Sequence, residues 1–518
     1  MCAASTVSPD SRTRLLDLLE RAGNRLPHPV TLFILFAALV PLLSAIAAGL
    51  GISVLHPRTG EPVVAVNLLT RSWIQRGFTE CVANFVAFAP LGTVLAAMIG
   101  VGIAERSGLL AAALRGLVQV MPRRFITATI LLAGMLSHTA GDAGNLVLPP
   151  LAAALFAALG RPPLAGIAVA FAGIACGFSA NMLPSTIDVL LAGLTQEAAR
   201  LWDPAYVVQV VCNYYFLTAS VPLLILVGVF INARFVEPRL TTEFRESIPA
   251  PGDESAESAE SDALDRRGLR AAGWALLATA IGFGLLAGFE WSPLRSSGET
   301  ALERLQPFLR SIVALVVIAF AVPGIAFGIA TGRIRSDHDA ARMAGEAVGT
   351  MGLYIVLSFA AAQFVKYFEW SNLGAILAIL GAQTLRALHI NGTPLYLGLL
   401  LITTTINLLI ASASAKWTVL APIFVPMFML LGHSPESTQV IFRVGDSVTN
   451  GITPLNPYFP IMLAFAHRYD PRFGIGSLVA VMLPYAVGFA LVWTAMLIGW
   501  IALGWPVGPG SGLSYPAG

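Results

Sequence analysis

Apolar runs of about 20 residues, the length an α-helix needs to cross about 30 Å of hydrocarbon, recur along this chain at 30–52, 82–104, 206–231, 271–289, 311–330, 347–368 and 475–503. A chain built this way folds in lipid. Composition agrees, because 56% of the residues are hydrophobic and only 12% are charged, about half the charged share of a soluble protein. A soluble enzyme is nearly ruled out. A nucleic-acid binder is excluded as well, since 31 Lys and Arg against 29 Asp and Glu leave a net charge of +2 and no cationic stripe to neutralise phosphates. Cys2, Cys81, Cys176 and Cys212 show no paired spacing, so neither a disulfide framework nor a zinc site is suggested. The first apolar run is too long for a signal-peptide core and reads as a retained span.

The positive-inside rule orients the runs. Arg12, Arg14, Arg21 and Arg25 put the N-terminal segment 1–29 in the cytoplasm, and Arg115, Arg123 and Arg124 bring the chain back there after the second span. Later cytoplasmic clusters fall around Arg234 and Arg266, Arg333 and Arg342, and Arg468 and Arg472. Two longer apolar regions, about 125–195 and 395–466, are interrupted by Gly, Pro, Ser and Asn. Parity is met most simply by re-entrant hairpins at about 125–160 and about 397–432, each followed by a crossing, at about 164–195 and about 436–466. The expected architecture is an all-α polytopic membrane protein of nine transmembrane helices and two hairpins, with its C-terminus outside. Its first membrane half is 30–240 and its second 267–505, with a tail at 506–518. The acidic stretch 241–266 between the halves has no apolar period and is expected to be a disordered cytoplasmic linker.

The two interrupted regions align without a gap. At one constant offset Gly160 falls on Gly432, Pro150 on Pro422, Pro163 on Pro435 and Gly173 on Gly445. One copy enters from the cytoplasm and the other from outside, so the duplication is an inverted repeat of the kind from which many secondary transporters are built. Within each copy the crossing is broken at a corresponding place, by "GIACGFSANMLPSTID" at 173–188 and by "GDSVTNGITPLNP" at 445–457. Broken helices at membrane depth are tolerated where they line protein or a wet cavity, which places a site near the midplane.

Few ionisable residues lie at that depth, where each costs about 3 kcal/mol on insertion scales. Asp142, Asp188, Arg443 and Asp446 are embedded in apolar or broken segments, while Lys366, Glu369 and Lys416 sit near ends from which they can snorkel. Arg443 and Asp446 are three apart on one helical face, either as a mutually neutralising pair or as an ion site with a substrate partner. Asp188 has no cation nearby in sequence and reads as a proton carrier or as a dipole partner of the following half-helix. Candidate substrate-binding residues are Asn145, Asn181, Ser412, Ser414, Trp417, Arg443 and Pro454. Candidates for coupling to Na⁺ or a proton are Asp142, Asp188, Asn407, Asp446 and Asn450, with Pro435 and Pro457 structural. Trp417 either stacks on an aromatic ring of the substrate or packs. His138 and Asp142 are four apart, but no HExxH and no serine nucleophile elbow occurs, so no enzyme is expected. No cofactor is expected, and no metal beyond Na⁺.

The strings "SHTAGDAGNLVLPPLAAALFAALGRPPLAG", "AGIACGFSANMLPSTIDVLLAGLTQEAA", "INLLIASASAKWTVLAPIFVPMFMLLG" and "QVIFRVGDSVTNGITPLNPYFPIMLAFA" resemble the p-aminobenzoyl-glutamate transporter (AbgT) family over nearly the whole chain, the 241–265 connector excepted. The resemblance implies a bowl-shaped homodimer in a bacterial-type inner membrane, with nine spans and two hairpins per protomer. It implies import of p-aminobenzoyl-glutamate, a folate breakdown product, or export of sulfonamide antimetabolites, driven by Na⁺ or protons. The family's implicated residues fall here on Asp188, Ser414, Trp417, Pro435, Arg443, Asp446 and Pro454. Expected partners are the bilayer and an aminobenzoyl small molecule. An ion channel is the alternative from another class, since channels also use re-entrant loops.

Overall fold

The structure, a computed structural model, describes residues 29–57, 60–120, 122–137, 143–244, 257–298, 301–410, 412–453 and 455–515. The chain is mostly helical. The helices used below are α1 (Pro29–Gly49), α2 (Ala89–Arg106), α3 (Leu109–Val120), α4 (Ile126–Leu136), α5 (Ala143–Ala158), α6 (Pro163–Phe171), α7 (Thr186–Arg200), α8 (Tyr214–Ile231) and α9 (Glu257–Gly288). They continue with α10 (Ile312–Ala330), α11 (Asp337–Gly349), α12 (Gly352–Trp370), α13 (Leu373–Ala387), α14 (Thr393–Asn407), α15 (Ala413–Leu430), α16 (Pro435–Val448), α17 (Phe459–His467) and α18 (Ile475–Ala502). The only strands among the described residues are β1 (Ser53–Leu55) and β2 (Pro62–Val64), an antiparallel hairpin after α1.

Among the described residues six helices are long and apolar enough to cross a membrane: Val30–Gly49, Tyr214–Leu240, Ala263–Gly288, Ile312–Ala330, Ala413–Leu430 and Ile475–Ala502. Two bent pairs, α2 with α3 at 61° and α11 with α12 at 47°, raise this to eight if each pair counts as one span. Length and composition therefore return fewer than the nine expected spans. The reason is local chemistry. The run 82–104 is divided where Pro90 opens α2, and the run 347–368 is bent between Gly349 and Gly352. Apart from α15, which has 18 residues and passes as a span although it was expected as part of a hairpin, the helices in the two interrupted regions are short, from 9 residues in α6 and α17 to 16 in α5. At about 1.5 Å per residue none of these reaches across about 30 Å alone.

The acidic linker departs from expectation. Residues 241–244 end a helix begun at Glu237 and residues 257–266 form the first turns of α9, so these parts of the stretch expected to be disordered are helical; 245–256 lie outside the described residues. Apolar burial explains the extension at its inner end, because Ala272 and Leu269 pack with Phe327 of α10 and Asp265 is held by Arg115 of α3 at 2.6 Å.

Two apolar cores meet at α16. One gathers α4, α5, α6, α8, α14 and α18 around Phe156, Phe171, Phe216, Phe489 and Trp493. The other gathers α1, α7, α12 and α15 around Phe33, Phe364, Trp417 and Phe442. Val440, Val444 and Val448 of α16 serve the first core and Phe442 the second, so every position along α16 is buried. Close backbone approach sets its place. A methyl group on Gly445 would stand 2.9 Å from the Leu400 carbonyl oxygen and 2.9 Å from Cβ of Thr403 in α14. At the equivalent position Gly173 meets α4, where a methyl group would stand 2.7 Å from the Leu131 carbonyl oxygen. Leu131 and Thr403 are separated by the same offset as Gly173 and Gly445.

Candidate functional site

The first break follows a π-helical turn at Ala172–Cys176 and runs to Ser185, the N-cap of α7. Gly177 and Pro184 bound it; Pro184 cannot continue a helix, having no N–H to donate. Asp188 at the third helical position closes a capping box: its Oδ2 accepts from Ser185 N at 2.7 Å, Ser185 Oγ at 2.8 Å and Asn181 Nδ2 at 3.0 Å. Its Oδ1 accepts from Arg443 Nη1 of α16 at 2.6 Å. Asp188, which has no cation nearby in sequence, meets one across the fold, and of the two readings of Arg443 and Asp446 the mutually neutralising pair is not the one formed. A sequence spacing of three puts two side chains on one face, but Asp188 offers Arg443 a carboxylate already fixed by three donors, which is the stronger partner in a dry setting.

Asp446 pairs instead with Lys416 of α15, Nζ to Oδ1 at 2.5 Å, in a close ion pair off the hydrogen-bonding direction. Lys416 does not snorkel, because its side chain is fully buried. Its Nζ also donates to Asn407 Oδ1 at the end of α14. The Asn407 amide in turn faces Asp446 O at 2.7 Å, Thr449 Oγ1 at 2.8 Å and Asn450 Oδ1 at 2.9 Å. The four charges sum to zero, and each is buried with its partner.

Both breaks wall a cavity of about 340 Å³. Phe178 comes from the first break, Thr186 and Ile187 from the first turn of α7 that follows it, Asn450, Asn456, Pro457 and Tyr458 from the second break, and Asn145 from the first turn of α5. Met98 of α2 and Tyr354 of α12 close it. The breaks touch directly, with Ser179 N donating to Ser447 Oγ at 3.1 Å. Asn145 is 6% exposed and its Oδ1 has no partner among the described residues.

Of the candidate residues, Asn145, Asn450 and Pro457 line this cavity, Asn181, Asp188 and Arg443 form one ion cluster, and Asn407 and Asp446 belong to the other. Ser412 caps α15 and shares a hydrogen bond with Ser414, Oγ to Oγ at 3.1 Å; neither lines the cavity. Trp417 is packed, 0% exposed, with Nε1 donating to Thr195 Oγ1 at 2.8 Å and its ring 4.4 Å from that of Phe442. Pro435 opens α16. Asp142 and Pro454 lie outside the described residues. Sequence reasoning missed Lys416 as a buried partner and Tyr354 as a wall of the cavity, Tyr354 because nothing in an apolar run marks which aromatic turns inward. Phe178 and Tyr458 had a signal, since both sit within or beside the broken segments. Among the described residues no group of three or more metal-ligating side chains occurs.

Arg443 Nε and Nη2, and Gln439 Nε2 one turn earlier on α16, are buried without a hydrogen-bond partner among the described residues. Leaving such groups unmade costs about 1–3 kcal/mol each, so an acceptor arriving there is favoured.

Comparison with known proteins agrees with the resemblance. Residues 14–515 match the family model described as "AbgT putative transporter family". The p-aminobenzoyl-glutamate transport protein of Escherichia coli (strain K12) is 38% identical over 511 residues, covering 98% of this chain and 99% of that one. The solved structure of the Alcanivorax borkumensis YdaH transporter, described as having an unusual topology, superposes with a TM-score of 0.88 at 42% identity, covering 93% of this chain and 100% of that one. Neisseria gonorrhoeae MtrF, whose structure is described as illuminating a class of antimetabolite efflux pumps, gives a TM-score of 0.88 at 42% identity over 96% of this chain and 100% of its own.

Proposed function

Since the chain belongs to the AbgT transporter family, whose members are multi-pass membrane transporters and not enzymes, we propose that it is a secondary active transporter of p-aminobenzoyl-glutamate, coupled to a Na⁺ or proton gradient. The observation that carries this reading is the cavity of about 340 Å³ walled by both helix breaks, a size within the range of small-molecule sites. Its aromatic lining suits an aminobenzoyl ring, and Asn145, with a buried carbonyl oxygen lacking a partner, suits the aromatic amine. Arg443 is not among the residues lining this cavity; its unpaired Nε and Nη2 would meet a substrate carboxylate in a conformation that opens the ion cluster. Solute enters between the breaks, and alternating access follows from the two halves rearranging around them.

The finer architecture belongs to the same proposal: nine spans, hairpins at about 125–160 and 397–432, an inverted repeat, a cytoplasmic N-terminus, an outer C-terminus, a bacterial-type inner membrane and a homodimer. The matched packing of Gly173 on Leu131 and of Gly445 on Thr403 supports the repeat. A second reading, efflux of sulfonamide antimetabolites, is favoured by the likeness to MtrF, and both substrate classes share an aminobenzene core. Flux in proteoliposomes under imposed Na⁺ or pH gradients tests all of this. Concentrative p-aminobenzoyl-glutamate uptake that reverses with the gradient is expected. Flux indifferent to both gradients rejects the coupling, conductance unlinked to solute rejects the transporter reading, and sulfonamide flux alone selects the efflux reading.

A further inference from the structure

A second cavity, of about 480 Å³, lies between α3, α9 and α10, and none of its lining residues has a polar side chain. It opens along α9, the least buried of the six long spans at 11%, and a methyl group on Gly273 in its wall would meet nothing within 4 Å. The α9 wall runs from Leu269 to Phe283, about 21 Å at a rise of about 1.5 Å per residue. That length takes an acyl chain of one leaflet, whose hydrocarbon is about 15 Å deep. Without a hydrogen-bonding side chain in its walls, the groove does not suit a charged solute such as p-aminobenzoyl-glutamate.

One end of the groove is basic. Leu269, Ala272, Gly273 and Leu276 recur at three- and four-residue spacing, the stripe that one helix face makes, and one turn earlier the stripe reaches Asp265 and Arg266. Asp265 is turned inward to Arg115 of α3, which leaves Arg266 at the head of the stripe with Arg270 beside it, both exposed. Arg333, after α10, donates to Ser107 O at 2.8 Å, next to the groove wall at Leu109. The other acids at this end of α9, Glu257, Glu260 and Asp262, lie farther from the groove along the helix. An apolar slot headed by arginines matches an anionic lipid in both its parts. We propose that this groove holds an acyl chain of an anionic phospholipid, with the lipid phosphate between Arg266 and Arg270. The opposite wall gives the site its place in the molecule. Leu183 and Pro184 of the first break line the groove, while Thr186 and Ile187, just beyond, line the solute cavity. The lipid tail therefore backs the first break. Hydrocarbon is tolerated there, because Met182 O accepts from Tyr214 Oη at 3.1 Å and Pro184 has no N–H to satisfy. The site stands apart from the substrate and coupling readings.

Native mass spectrometry of the full-length protein in detergent, titrated with phosphatidylglycerol or with phosphatidylcholine of the same tails, provides the test. The first phosphatidylglycerol is expected to bind about tenfold or more tightly than the first phosphatidylcholine, and Arg266→Gln/Arg270→Gln to remove that preference. Gly273→Leu fills the groove from a position with open space around it, and the variant is expected to bind phosphatidylglycerol about tenfold or more weakly. Equal affinity for the two lipids in the unmodified protein, or an unchanged phosphatidylglycerol affinity in either variant, overturns the proposal. A Gly273→Leu protein that loses a self-association present in the unmodified protein, with its lipid affinity intact, overturns it in favour of an interface between two copies of this chain. If Gly273→Leu does not fold, the arginine pair decides alone. Because no solute is used, failure here is separable from failure of the transport reading.

Discussion

Arg443 is 1% exposed and its charge is met from another helix rather than from its own. Removing that match is expected to be costly, because breaking a buried ion pair strands the remaining charge, typically at about 3–5 kcal/mol. Asp188→Asn should therefore lower Tm sharply, and the double variant Asp188→Asn/Arg443→Gln should recover part of the loss; thermal unfolding of the two single variants and the double variant checks this, and strict additivity would show the pair to be uncoupled. Trp417→Phe keeps a ring against Phe442 but loses the bond to Thr195, worth about 1 kcal/mol. Since the side chain is buried away from the cavity, Tm should fall while the KM for uptake changes little, and a large rise in KM would place Trp417 at the substrate in another conformation. These charged residues were conspicuous in the sequence because membrane depth makes any charge expensive. Their partners were not, since Asp188 and Arg443 are 255 residues apart, and the depth of the 412–417 turn, which decides whether Lys416 can reach water, is set by packing.

Helix breaks and close crossings were legible to different degrees. Gly, Pro and Asn mark a break through backbone chemistry that acts within a few residues, and both breaks occur in the expected strings. The crossings were visible only as glycines at a shared offset, whereas what each glycine touches depends on the helix opposite. An alanine at Gly173 or Gly445 must displace backbone or Cβ atoms at 2.7–2.9 Å, so Gly173→Ala and Gly445→Ala should each destabilise by about 1–3 kcal/mol. Gly398→Ala, with nothing within 4 Å, should be neutral or slightly stabilising; Tm values of the three variants read the contrast, and equal effects would deny that close approach sets the crossings. Continuous helices were misjudged where an apolar run concealed a break, as just before Pro90, or a bend, as between Gly349 and Gly352. Hydropathy averages over such a residue, and backbone geometry does not.

Across the molecule the C-terminal segment clasps the start of α16. Ser434 N and Oγ donate to Leu513 O at 3.0 Å and Gly512 O at 2.7 Å, Tyr515 N donates to Gly432 O at 2.8 Å, and Tyr515 Oη donates to Asp203 at 2.9 Å. Val507 O accepts from Phe216 N of α8 at 3.1 Å. Since α16 carries both Arg443 and Asp446, truncation after Gly504 should lower Tm and expose the 432–438 turn to proteolysis, as limited digestion followed by mass spectrometry would show; an unchanged digestion pattern would mean that the apolar cores hold α16 unaided. Nothing in the sequence announced this clasp, since the tail was expected only as a tail.

From the order of its residues alone, this chain was bound to be a helical membrane protein with two matched interruptions and a handful of charges at depth. Those properties follow from hydrophobic run length and backbone chemistry, which act along the chain. Which carboxylate meets which cation, that Lys416 meets Asp446 and Asn407 at the second break, and that both interruptions wall one cavity were settled by packing. A buried charge is stabilised by whatever partner the fold brings within a few ångströms, and sequence distance does not measure that.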